Sequence, residues 1–301
     1  MKKGRCLLCQ GKSVRYQFID KQKKTYSLRM LCKVMEVGKS AFYQWSVQRL
    51  RVKPTNQLLL EHQAVELFNN HKKTLGSRRL GQELNKLGVA IGRFKTRRLM
   101  KQLGLVARYP KRYKATTDSD HEQSVAPNLL KRRFKVSNSN SVWTTDITAI
   151  WTHQGWLYLA VVLDLYSRQL IGGAMAGHMK TSLCLQALQM AYWRRKPGRG
   201  VIHHSDQCSQ YTSHLYRQQL VAMGMETSMS GKGQCWDNAP TERFFRSLKY
   251  EQLNYEVLTT RKEAHLSVLE YLVYYNSKRP HSALGYLTPM QYEQYELSKV
   301  A

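Results

Sequence analysis

The chain has 301 residues, of which 48 are Lys or Arg and 20 are Asp or Glu, for a formal charge of +28. That excess excludes an ordinary small-molecule enzyme as the first reading and points to a partner covered in phosphate. With 42% hydrophobic and 10% aromatic residues a packed core is available and wholesale disorder is excluded. No run of about 18 apolar residues occurs, so no membrane span is expected. The basic start, Met1-Lys2-Lys3-Gly4-Arg5, is followed by too short an apolar stretch for a signal peptide. Six cysteines over this length make no disulfide framework, and a reducing compartment, cytosol or nucleoid, is expected.

The charge is unevenly placed. Residues 1–140 hold 32 basic and 8 acidic side chains, a net +24, whereas residues 141–301 hold 16 and 12, a net +4. A coat for solubility would be uniform, so the front half reads as a nucleic-acid grip. Its pattern is helical. Ser27–Met35 is a short apolar-periodic helix, Gly38 breaks it, Ser40 is a plausible N-cap, and Ala41-Phe42-Tyr43-Gln44-Trp45 opens a second helix. The spacing suits a helix-turn-helix, with a plain helical hairpin as the alternative.

A second unit follows. Leu58, Leu59, Ala64, Val65 and Phe68 recur at helical spacing, residues 77–84 form another helix that begins Ser77-Arg78-Arg79, and Gly88 and Gly92 bound a turn. In the helix after it Arg93, Lys95, Arg97, Arg98 and Lys101 surround Phe94 and Leu99 with no acid as far as Leu105. Such repulsion favours an outside anion, phosphate being the natural one, with a plain solvated face as the alternative. Residues 106–140, with Pro110, Pro127 and the basic runs Lys111–Lys114 and Lys131–Arg133, read as a linker.

From Ser141 the pattern turns to strands. Val142–Trp151, Gly155–Leu165 and Gln169–Met175 are joined by short connections and should pair antiparallel. Thr181–Trp193 is a helix, Val201–His204 a strand, Thr212–Met223 a helix and Glu226–Met229 a fifth strand. The sum is an α/β fold, a mixed five-stranded sheet with flanking helices.

Acids are scarce, so their positions carry information. Asp146 sits inside the first strand, where a carboxylate among apolar neighbours is costly unless compensated. Asp206 lies just past the fourth strand, at a strand end of the kind that assembles sites. Glu242 lies on a helix opening at Asn238-Ala239-Pro240. Three carboxylates brought together repel, and divalent cations relieve the repulsion; an all-oxygen set suits Mg²⁺ or Mn²⁺ and phosphodiester chemistry. The plain alternative is three unrelated surface or capping acids. Asp164 reads as a turn residue and Asp237 as a helix cap.

The segments Trp143–Thr148, Gly155–Ser167, His204–Ser213, Ser228–Lys249 and Tyr275–Pro289, with 35 residues between Asp206 and Glu242, make the chain resemble the DDE transposases of bacterial insertion sequences. These belong to the retroviral-integrase-like group of the IS-three type, whose second reading frame encodes the catalytic product. The resemblance covers about residues 15–295 and implies an RNase H-like integrase catalytic core preceded by an all-α helix-turn-helix region. It divides the chain into a helix-turn-helix-like segment (1–52), a second basic helical DNA-binding domain (53–108), a basic linker (109–138), the catalytic core (139–291) and a C-terminal tail (292–301). By it, Asp146, Asp206 and Glu242 are catalytic and bind two Mg²⁺ or Mn²⁺ ions.

The reaction implied is cleavage at transposon ends and joining of the 3′-hydroxyl to target DNA. Lys249, two helical turns past Glu242, would contact a DNA end, with Arg78, Arg79, Arg93, Lys95, Arg97, Arg98 and Lys101 as further DNA-binding residues. His204 and Ser205 would shape the site. Implied partners are transposon ends, target DNA, further copies of the chain in a paired-end complex, and an upstream-frame product joined by frameshifting, all in the bacterial cytoplasm. One departure stands out: Cys208 replaces a glycine, which would be strained if that position needs φ > 0. In the tail motif Arg279 and His281 either hold DNA or pack onto the core.

Other readings are weaker. Cys6-x-x-Cys9 has metal-ligand spacing but no second pair. His203 and His204 beside Asp206 resemble a metal cluster, yet neighbours on a strand point to opposite faces. No phosphate-binding loop or dinucleotide fingerprint occurs, so no nucleotide cofactor is expected. The abundant tyrosines lack the companions of a tyrosine recombinase. Alternatives to the transposase are a non-catalytic DNA-binding regulator, a catalytic half needing its upstream partner, and a structure-selective nuclease.

Overall fold

The computed structural model describes residues 11–50, 54–108, 125–231 and 234–300. The Cys6–Cys9 pair and the basic run Lys111–Lys114 lie outside the described residues. The chain forms two compact units, residues 1–60 and 61–301.

The first unit holds α1 (Lys12–Gln22), α2 (Leu28–Val34) and α3 (Lys39–Leu50). Tyr16, Ile19, Leu31, Cys32, Met35 and Phe42 form its core, with Tyr16 against the rings of Phe42 and Trp45. Ser27 caps α2 by accepting the Met30 N–H at 3.3 Å. The turn between α2 and α3 departs from the expected one. Glu36, at φ 52°, takes the left-handed conformation there, and Ser40 lies inside the first turn of α3 instead of capping it. α1 was not anticipated, because it buries only Tyr16 and Ile19 and shows little apolar rhythm.

α4 (Thr55–Asn70) leads into the second unit, where α5 (Ser77–Lys86) and α6 (Arg93–Gln102) follow. α5 buries Leu80, Gly81 and Leu84, and α6 buries Thr96, Leu99 and Met100. The two helices cross closely at Gly81, where an added Cβ would sit 3.0 Å from Thr96 Oγ1. Their turn uses Gly88 at φ +83° and is tied by the Ile91 N–H donating to Asn85 Oδ1 at 2.9 Å. The helix-turn-helix expected from sequence lay on α2 and α3; α5 and α6 form a further helix pair joined by a short turn.

The sheet has the order β3-β2-β1-β4-β5. β1 (Val142–Thr152), β2 (Gly155–Asp164) and β3 (Leu170–Ala176) are antiparallel, and β4 (Ile202–Ser205) and β5 (Glu226–Met229) continue parallel to β1. Alternate side chains feed two cores. Ile150, Leu157, Leu159, Val161 and Leu163 join the layer of α10 (Ala239–Glu251) and α11 (Arg261–Ser277). Trp143, Ala160, Val162 and Ile171 join the layer of α7 (Thr181–Arg195) and α9 (His214–Ala222). Burial on both faces explains why β2 reads as a continuous apolar run.

The helix expected over 212–223 is two, the short α8 (Ser209–Thr212) and then α9. Ser213 between them is extended and accepts the Tyr216 N–H at 3.3 Å. Residues 292–300, expected as a tail, belong to α12 (Pro289–Val300), fastened where Arg195 donates to Glu293 Oε2 at 3.0 Å and Ser167 to Glu293 Oε1 at 2.6 Å. Among the described residues no helix is long and apolar enough to cross a membrane.

Candidate active site

β4 pairs with β1 only from Val142 to Thr144. Beyond that point the β4-side edge of β1 is met by the start of α10. Asn238 Nδ2 donates to Thr145 O at 2.9 Å and Thr241 Oγ1 to Thr144 Oγ1 at 2.7 Å. These two bonds pin the helix beside Asp146, and Glu242 is the next residue. Asp206 arrives from the other direction, one residue past the end of β4. Three elements distant in sequence thus deliver three acids to one place.

The acids also influence one another electrostatically. Burial, then the charges of Asp206 and Glu242, hold the Asp146 carboxyl well above the ordinary carboxylate range, against the opposing pull of the Ile147 N–H and Lys249. Burial and then Asp206 raise Glu242. Lys249 is lowered by burial, with the charge of Asp146 opposing. Each aspartate is locally steered. Asp146 Oδ1 accepts its own Ile147 N–H at 2.7 Å. Asp206 accepts the Cys208 N–H at 3.1 Å and the Cys208 thiol at 2.9 Å.

Cys208 itself lies at φ −60°, ψ 146°. The strain feared for a glycine replacement does not arise, because the position is ordinary extended backbone. The thiol was invisible to sequence reasoning as a partner of Asp206, and burial pushes it up into its protonated, donating form.

The donor set fits a hard divalent cation: three carboxylates offering oxygen ligands, and no nitrogen among them. Among the described residues no three such side chains stand close enough to form a ready coordination shell. The two histidines are not ligands. His203 is bonded to Tyr216 Oη at 3.0 Å, and His204 to Ser228 Oγ at 2.8 Å and Ser230 Oγ at 3.2 Å. Burial lowers them to about 3 and about 4, so both are neutral packing groups on opposite faces.

Asp164 is fully buried and organises a turn by accepting the Asn140 and Tyr166 N–H groups. Asp237 does not cap α10. It is held by Asn128 at 2.8 Å, Arg132 at 2.6 Å and the Gly231 N–H at 3.2 Å, which stabilises the loop entering the helix. Arg132, read as a loose linker cation, is thereby part of the scaffold. Lys249 also lines a cleft of about 450 Å³ with Trp151, His153, Trp156, Asn254 and Val257.

Of the sequence-predicted DNA contacts, Arg93, Lys95, Arg97, Arg98 and Lys101 are exposed on α6, and Arg78 is exposed on α5. Arg79 points elsewhere, to Glu251 at 3.8 Å. Arg279 and His281 are buried, which decides for packing.

A polynucleotidyl transferase is the class that the chain's family matches define. Residues 136–235 and 223–289 match the family model described as integrase core domain, and residues 55–113 match one described as HTH-like domain. The chain is 38% identical over 288 residues to "Transposase InsF for insertion sequence IS3A" of Escherichia coli strain K12, covering 95% of this chain and all of that one. It is also 38% identical over 267 residues to the "Insertion element IS600 uncharacterized 31 kDa protein" of Shigella sonnei, covering 88% of this chain and 97% of that one. Among solved structures, the HTLV-2 integrase catalytic core domain in complex with magnesium is similar at a TM-score of 0.41 and 15% identity, over 51% of this chain and 95% of that one. The chain belongs to the family of insertion-sequence transposases of the IS3 type.

Proposed function

We propose that this transposase cuts DNA at the ends of its insertion sequence and joins the freed 3′-hydroxyl to a target phosphodiester, with Asp146, Asp206 and Glu242 as its catalytic groups. The observation that supports the reading is the approach of these three acids from β1, the end of β4 and the start of α10, with the start of α10 bonded to Thr144 and Thr145 beside Asp146. Mg²⁺ or Mn²⁺, two ions, would be held by the three carboxylates and would supply activation of the attacking oxygen and stabilisation of the leaving one.

The chain's own residues do the rest. Cys208 fixes the rotamer of Asp206. Asn238 and Thr241 hold the start of α10 against β1, so that Glu242 keeps its place. Lys249 offers a cation to a phosphate beside the acids, and the cleft that it lines gives the strand end a path. The exposed cations of α6 hold the duplex outside the site. Further copies of the chain would pair two ends.

The test is cleavage and strand joining on labelled duplexes carrying the element's own ends, with Mg²⁺, Mn²⁺ or EDTA. Joined products should require the metal and disappear in Glu242→Gln, while binding persists. Cutting without end preference would indicate a structure-selective nuclease instead. Binding with no cutting in any condition would indicate a regulator or a catalytic half that needs its upstream-frame partner.

A further inference from the structure

Phe94 is 80% exposed, the most open aromatic side chain among the described residues, and it is the one exposed phenylalanine among them. It is not a stray surface group. α6 buries Thr96, Leu99 and Met100; at 3.6 residues per turn, Phe94, Arg98 and Lys101 lie on the opposite side, with Arg97 on its flank one turn from Phe94 and Lys101. Arg93 and Lys95 flank the ring in sequence. None of these five cations takes part in an ion pair among the described residues. The outward face of the second helix of a helix-turn-helix thus consists of cations with no ion-pair partner among the described residues, around one apolar ring near its N-terminal end.

Cations that lack internal partners suit phosphates, which position a protein on a duplex without reading it. An apolar ring at the front of such a helix suits the one apolar group that the major groove displays, the C5-methyl of thymine. We infer that Phe94 is a sequence-reading residue that packs on a thymine methyl in the terminal DNA of the element. The inference rests on the reading of α6 as the DNA-binding helix and goes beyond it by assigning a base, a groove and an atom.

Single replacement of each terminal-repeat thymine by deoxyuridine removes one methyl and nothing else, which makes the full-length protein and such duplexes the natural probe. Binding of the wild-type chain should weaken about fourfold at one thymine, the worth of one buried carbon group. Phe94→Ala should bind the unmodified end more weakly, be indifferent to deoxyuridine at that thymine, and keep its affinity for random duplex. Its thermal unfolding should match the wild type, since an 80% exposed ring contributes little packing.

The double substitution Arg97→Ala, Arg98→Ala separates the two layers of the argument. If it leaves binding to every duplex unchanged, α6 does not touch DNA and the inference falls with the wider reading. If it weakens binding while Phe94→Ala keeps the wild-type end preference and deoxyuridine response, the thymine assignment alone is overturned. Equal loss by Phe94→Ala on end and random duplexes overturns it as well.

Discussion

Arg279 shows how a motif residue that could serve DNA is instead committed to the fold. Its guanidinium is 6% exposed and grips Glu251 with two bonds of 2.7 Å, with a third to Ser247 Oγ at 3.2 Å. Tyr271 donates to the same carboxylate at 2.7 Å. Burial alone would raise Glu251, but Arg279 and Tyr271 hold it below the ordinary carboxylate range. Arg79 stands by at 3.8 Å and adds a second cation. Replacing Arg279 by Met strands Glu251 as an under-compensated buried charge, and urea unfolding should show a loss of about 3–5 kcal/mol. The double variant with Glu251→Gln should lose less than the sum of the singles, because one charge no longer waits for the other. A chain that unfolds normally with Arg279→Met but loses DNA affinity would return Arg279 to the interface.

At the scale of elements, the strands were the most legible feature and the site followed from them. β1, β2 and β3 announce themselves by branched and aromatic runs between turns, and Asp146 is conspicuous because a carboxylate is out of place in such a run. Asp206 and Glu242 were singled out by a strand end and a helix opening, and given a role by the motif resemblance. The bonds that hold them were not legible, since Thr241 to Thr144 and Cys208 to Asp206 join residues whose types carry no signal of pairing. α1 escaped because so little of it is buried, and the break at Ser213 escaped because apolar rhythm continues across it. Gly172 is another feature that only packing explains. A Cβ there would lie 2.2 Å from Ala187 O and 2.9 Å from the Ala191 amide nitrogen, both backbone atoms of α7. Helix and strand touch with no side chain between them. Gly172→Ala must push α7 off the sheet, so a loss of about 3 kcal/mol or more is expected in thermal or urea unfolding. Gly198→Ala, which meets open space, is the matched control and should fold as the parent does.

For the whole molecule, the division of charge is a division of labour. The segment that ends at residue 140 carries a net +24 and the remainder only +4, and the acids proposed for the chemistry sit in the nearly neutral part. A field of cations around carboxylates would repel a divalent metal ion. On the proposed reading, a grip on α6 and acids on the sheet would let a duplex be held at one place and cut at another. The separation has a measurable form. Each phosphate neutralised on duplex DNA contributes about 0.9 to the slope of log affinity against log salt. Arg97→Ala with Arg98→Ala should therefore flatten that slope by about 1.8 on any sequence, read by fluorescence anisotropy across a salt series. Glu242→Gln should not flatten it, because a carboxylate holds no phosphate, even though the same change abolishes joining. Should the α6 substitutions leave the slope intact, the +24 of the front half would be acting through other cations, and the division of labour would have to be drawn along a different surface.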